Sequence, residues 1–194
     1  MTQHGCEEYS TSMRTTRMRS WTRTAAIASV AFAALLLAAP GIPAQSSFST
    51  GIGGIFYRYE TGFLSTHLTY LFEREDQLEI NAGAAFGITT RSDNGDVEPQ
   101  FLIPVNLGLN FLFPNENATF LFGTGISPMF HFNPTEDEDF EFLMGPYAKV
   151  GLRVPVHRIM DWGLELQQDL LIGGDDWINT ATRVFTGITF TFTQ

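Results

Sequence analysis

Ser127 and His131 stand four residues apart in "GISPMFHF" (125–132), a pairing of types suited to ester chemistry. A serine hydroxyl activated by an imidazole base, with an acid behind it, can attack an acyl ester. The other histidines are His4, His67 and His157. A second group is electrostatic: the carboxylates Glu79, Glu165 and Asp169, and the cations Arg58, Lys149, Arg153 and Arg183. The third is "NPTEDEDFE" (133–141), where Glu136, Asp137, Glu138, Asp139 and Glu141 are oxygen ligands of the kind Ca²⁺ or Mg²⁺ takes. That run lacks the Asp-x-Asp-x-Asp-Gly spacing of a built coordination loop, and a block of like charge reads as a solvated loop. Asp175 and Asp176 beside Trp177 suit a contact or interfacial anchor, and "NAT" (117–119) is only a formal glycosylation match. No Gly-rich phosphate loop or Cys/His cluster is found, so no cofactor and no metal are expected.

Whether any of these groups meet depends on the elements beneath them. In "FLIPVNLGLNFLF" (101–113), Phe101, Ile103, Val105, Leu107, Leu109, Phe111 and Phe113 alternate with Leu102, Pro104, Asn106, Gly108, Asn110 and Leu112. The same period of two runs through 78–89, 148–154 and 162–172. Such alternation over about ten residues is a strand with two unlike faces. Eight strands are expected: 48–59, 63–72, 78–89, 100–113, 118–131, 141–155, 162–172 and 181–193. Gly51, Gly53 and Gly54 blur the first. Short turns ("EREDQ", "PNEN", "HRIMD") alternate with longer polar segments ("TRSDNGDVEP", "FNPTEDEDF", "GGDDWINT"), apart from a tight "ETG" after strand one. An even number of antiparallel strands with short turns at one end describes an up-and-down transmembrane barrel. Closure leaves no edge strand.

Alternation alone cannot say which face is inside. The polar members can: strand four offers no charge, and strand five offers Thr119, Leu121, Gly123, Gly125, Ser127, Met129 and His131. These small, mixed residues suit the crowded lumen of an eight-stranded barrel better than a water-facing surface. The apolar set carries aromatics towards both strand ends. Phe72, Phe111, Phe113, Phe120, Trp162, Phe190 and Phe192 fall on the short-turn side, and Tyr57, Tyr59, Phe86, Phe101, Phe130 and Phe142 on the other. Two aromatic bands around an aliphatic belt match a bilayer. The apolar set therefore faces lipid, and the seven charged residues named above share the lumen as a salt-bridge network. Buried charges must pair there. Ser127 and His131 fall on the lumenal face, and no histidine shares the lipid face with a serine. Pro104, Pro128 and Pro146 lie near the loop-side rim. They mark strands that bulge or end above the membrane or, less simply, a seam for sideways lipid access.

Residues 1–44 read as a signal peptide: Arg14, Arg17, Arg19 and Arg23, then "AAIASVAFAALLLAA" (25–39), then a cleavage site expected after Ala44. Met13 and Met18 are alternative starts. The domain is then 45–194. Removing four arginines and two glutamates from totals of 11 and 21 leaves 7 cations against 19 acids, a balance that argues against nucleic acid. The one cysteine, Cys6, lies in the leader.

On strand number, turn asymmetry and aromatic bands, residues 45–194 resemble the small eight-stranded outer-membrane proteins of the OmpX and OmpA transmembrane-domain type. The resemblance implies export to the bacterial outer membrane, lipid as solvent, and delivery by periplasmic chaperones and the barrel-assembly machinery. Family members often end on an aromatic residue, whereas this chain ends "GITFTFTQ". The expected function is a non-enzymatic barrel with a filled lumen, serving envelope integrity or surface interaction through acidic extracellular loops. The alternatives are a lipid-modifying enzyme, acyltransferase or deacylase, and a narrow solute pore.

Overall fold

The computed structural model describes residues 46–75, 77–93, 96–132, 140–174 and 177–192. The leader, its cleavage site, Glu136–Asp139, Asp175 and Asp176 lie outside the described residues. Eight strands follow in chain order: β1 (Ser46–Tyr57), β2 (Thr61–Glu75), β3 (Leu78–Asp93), β4 (Asp96–Pro114), β5 (Thr119–Phe132), β6 (Phe140–His157), β7 (Met160–Ile172) and β8 (Ile178–Phe192). Each pairs antiparallel with its neighbour, and β8 pairs with β1, so the sheet is a closed barrel.

The registers fix its dimensions. Stepping across the ladder from Phe56 leads to Thr182, Gln168, Ala148, Thr124, Leu109, Ile80 and Phe72, and returns to β1 at Ser46, ten residues below the start. Eight strands with that stagger tilt by about 40° and enclose a barrel of about 8 Å radius, room for side chains only. The same geometry gives every residue a height along the axis. Outward-facing Phe56, Phe86, Phe101, Phe130 and Phe142 form one aromatic band, and Phe48, Phe72, Phe111, Phe120, Trp162 and Phe190 another. Their mean levels differ by about 23 Å, close to the apolar height of an outer-membrane barrel.

The side-chain directions agree with that placement. Leu64, Leu68, Leu109, Val150, Leu164, Leu166 and Leu170 are exposed on the outside, while Asn81, Asn110, Lys149, Gln167 and Asp169 are buried. Leaving this many large aliphatic groups outward is stable only in an apolar solvent.

Three expectations need correction. Strand one ends at Tyr57, because Arg58 and Tyr59 both adopt left-handed backbone (φ 53° and 58°) in a turn closed by Glu60 N–H donating to the Tyr57 carbonyl at 3.2 Å. Two positive φ values suit the right-handed twist of a tight hairpin. Tyr57 itself points into the lumen, not at lipid; the glycines before it had hidden its parity. The long polar segment 90–99 is mostly strand: the β3–β4 ladder continues through Thr90↔Pro99 to Asp93↔Asp96. Polar residues there indicate strands that rise above the bilayer into water.

The prolines are the third correction. The strands neither end nor bulge at Pro104, Pro128 or Pro146. Pairing skips from Ala84↔Val105 to Gly87↔Leu102, from Pro104↔Met129 to Leu107↔Ile126, and from Met144↔Ile172 to Tyr147↔Asp169, with register unchanged across each gap. Proline brings no N–H to the ladder, so each gap is a local loss of bonds. All three prolines lie within about 2 Å of one level, about 5 Å below the loop-side aromatic band and inside the apolar belt.

Candidate functional site

Among the described residues, chemistry-bearing side chains converge in the lumen, and they do so in layers. At the turn end, Arg153 of β6 grips Glu79 of β3 with two bonds, Nη1 to Oε2 at 2.8 Å and Nη2 to Oε1 at 2.9 Å. Glu79 Oε1 also accepts from Asn110 Nδ2 at 2.5 Å, Asn110 from Asn81 at 2.9 Å, and Asn81 from the Tyr147 hydroxyl at 2.9 Å. Lys149 donates to Glu165 at 3.1 Å, and Arg153 lies 3.9 Å from the same carboxylate. A planar guanidinium between two carboxylates ties the neighbouring strands β6 and β7 to β3 across the barrel.

Above this lies a second network centred on Arg183 of β8. Its Nε is 2.7 Å from Asp169 Oδ2, its Nη2 donates to Asp169 Oδ1 at 2.7 Å and to Ser127 Oγ, and its Nη1 donates to Asn106 at 2.8 Å. Gln167 also donates to Asp169, at 2.9 Å. Both ions of the pair are 0% exposed. A third cluster closes the loop end. Glu141 accepts from Arg58 Nη2 at 2.9 Å and from the Tyr57 hydroxyl at 3.2 Å, and lies 3.2 Å from His131 Nδ1; Arg58 Nε donates to Asn179 at 2.6 Å.

The seven charged residues read from the sequence thus fall into three groups. Glu79, Lys149, Arg153 and Glu165 meet at the turn end, and Asp169 and Arg183 in the middle. Arg58 stands apart, reaching in from the β1–β2 turn. Glu141 was read as part of the acidic loop but belongs to the lumen; it shares the parity of Lys149 and Arg153 on β6, which was the available signal. Tyr57, Asn179 and the amides around Arg183 were also missed as partners.

Between the Arg183 network and the loop-end cluster lies a layer that the sequence reading did not foresee. Ile55, Phe63, Leu102, Met129, Leu143, Leu171 and Ala181 are buried together. They come from seven of the eight strands and lie within about 3 Å of one level. They form an apolar septum across the barrel. Its members sit on the otherwise polar face of their strands, so parity alone marks them as lumenal.

Ser127 and His131 are consequently not a catalytic pair. Ser127 Oγ is held by Arg183 and the His131 ring by Glu141, on opposite sides of the septum residue Met129. His131 packs edge-on against Tyr57 and Phe63, with ring centroids at 5.3 and 5.8 Å. Its Nε2 is buried without a partner among the described residues. No group of three or more His, Cys, Asp or Glu side chains suited to a metal ion occurs among the described residues.

No protein-family model matches the sequence, and no curated protein matches it significantly. The fold does match solved structures. Neisserial surface protein A is similar with a TM-score of 0.62 at 10% identity, over 78% of this chain and 98% of that one. Ail, the attachment invasion locus protein of Yersinia pestis, in complex with the heparin analogue sucrose octasulfate, gives 0.53 at 13% identity over 78% and 100%. The N-terminal β-barrel domain of Pseudomonas aeruginosa OprF gives 0.52 at 13% identity over 77% and 99%. What is shared is the fold, that of the small eight-stranded outer-membrane barrels. The apolar belt says the same independently, because it is compatible only with a bilayer, and the bacterial outer membrane is where barrels of this fold reside.

Proposed function

We propose that this chain is a non-enzymatic outer-membrane barrel with a closed lumen, which serves envelope integrity or surface interaction through its acidic loop-side rim. The observation that carries the reading is the septum. An apolar layer one side chain thick, with ion pairs on both sides of it, supports a lumen closed to water and to substrate. A pore of this strand number would need a continuous polar lumen, and an esterase would need a serine free of its arginine. The similarity to Ail, named for attachment, supports a surface role without specifying a ligand. The excess of acids over cations favours a cationic partner over a sulfated one like the heparin analogue bound by Ail. Lipid as solvent and delivery through the barrel-assembly machinery belong to the same proposal.

Two measurements test it. The purified protein in a planar bilayer is expected to give no steady conductance, and cells with and without it to show the same lipid A and phospholipid acylation. A stable single-channel current would establish a pore instead, and a change in acyl pattern would establish an enzyme.

A further inference from the structure

Polar side chains are sparse on the lipid-facing wall between the aromatic bands, and most are self-satisfied. Thr50, Thr66, Thr124 and Thr186 each hand the hydroxyl proton to a backbone carbonyl of a neighbouring strand, at 3.0–3.2 Å. A threonine so tied exposes little more than its methyl to acyl chains. Gln168 of β7 is different. It faces outward and is exposed, flanked along its strand by outward Leu166 and Leu170. Its Oε1 accepts from Thr182 Oγ1 at 2.6 Å and from the Tyr59 hydroxyl at 3.4 Å. Its Nε2 donates to the Asp169 carbonyl at 3.3 Å, and its second amide proton meets no acceptor among the described residues.

Depth makes that donor unusual. From the register, Gln168 sits about 8 Å below the loop-side aromatic band and about 15 Å above the other, among acyl chains rather than ester groups. Hydrocarbon offers no acceptor, and an unmet amide donor there costs more than in water. An amide held in place by Thr182 and Tyr59, with one donor left over, suits a protein partner at the same depth.

We propose that the outer wall of β7 and β8 is the interface of a two-fold symmetric dimer of this chain, centred on Gln168. A carboxamide is donor and acceptor at once. Two copies related by an axis along the bilayer normal bring identical amides together, and each gives its spare proton to the other's Oε1, displacing the long Tyr59 bond. An isologous contact requires such a self-complementary group near its axis. The surround is even in height: Leu166, Leu170, Val184 and the methyls of Thr182 and Thr186 form a face that two copies can share. A phospholipid satisfies the amide less well, because its ester carbonyls lie nearer the aromatic band.

The test uses the full chain in outer membranes, with Cys6→Ser as background and a single new cysteine at Leu166→Cys or, at the same depth across the barrel, Leu107→Cys. A bis-maleimide is expected to convert L166C, and not L107C, to a dimer-sized band. Adding Gln168→Leu is expected to reduce that band at least fivefold, with heat-modifiable migration reporting that each variant is folded. Absence of the L166C dimer in folded protein would overturn the proposal. So would equal cross-linking at Leu107, a yield unchanged by Q168L, or a monomer that retains a phospholipid only while Gln168 is present.

Discussion

Asp169→Asn leaves the shape of the middle network almost unchanged and removes its only carboxylate. Arg183 then keeps Asn106 and Ser127 as acceptors but loses the charge facing Nε and Nη2. The guanidinium is fully buried, closed above by the septum and below by Gln167 and Asn106. Stranding one ion of a buried pair costs about 3–5 kcal/mol, a fifth or more of the stability of a typical small domain, about 5–15 kcal/mol. Arg183→Met strands the carboxylate instead and should cost a similar amount. The double variant, D169N with R183M, strands neither, and is expected within about 1–2 kcal/mol of the parent because the pair's attraction was offset by desolvation. The assay is urea unfolding in lipid vesicles, followed by loss of heat-modifiable migration, for all four members of the cycle. A D169N loss under about 1 kcal/mol, or a double variant as unstable as the two singles combined, would refute the view of the lumen as a set of closed, mutually dependent networks.

Other consequences can be checked separately. Leu102→Ala with Met129→Ala empties part of the septum; each truncation should cost about 2–5 kcal/mol, and the pair should give a measurable bilayer conductance where the parent gives none. Gly108→Ala should destabilise the barrel by about 1–3 kcal/mol or more, because the added Cβ overlaps the Thr124 carbonyl oxygen and the Tyr147 hydroxyl. Adding Tyr147→Phe clears only the second contact, so equilibrium unfolding should show little rescue. Hydrogen exchange should find the amides of Ala85, Val105 and Leu170, which lie opposite Pro104, Pro128 and Pro146, less protected than those of Leu107, Leu109 and Val150.

The strand pattern was legible wherever one face was consistently apolar, as at Phe101–Phe113 and Trp162–Ile172, because a lipid-facing wall tolerates few exceptions. At β1 the strand was legible but its facing was not, because glycines carry no side chain to reveal parity, and Tyr57 points into the lumen rather than at lipid. The rim is harder to read for a related reason: residues 90–93 and 96–99 are strand that stands above the bilayer, and polarity alone does not tell such a strand from a loop. The lumenal charges were legible as a set, since Lys149, Arg153, Glu165, Asp169 and Arg183 share the minority face, but their grouping depends on the stagger between strands, which no single strand records. Glu141 was absorbed into the acidic run beside it. The septum was hidden because leucine and methionine on the polar face look like imperfections of an alternating pattern until seven strands are seen to place one at the same level.

The orientation of the wall is the premise beneath all of this, and its most direct test is a spin-label scan of residues 101–113 in reconstituted bilayers. Membrane-soluble oxygen should relax labels at Ile103, Val105, Leu107, Leu109 and Phe111, while labels at Leu102, Asn106 and Asn110 should be immobile and protected from both oxygen and a water-soluble relaxant. Water-soluble relaxant reaching Asn106 and Asn110, with Leu107 and Leu109 shielded from oxygen, would mean a soluble barrel with its apolar face inward.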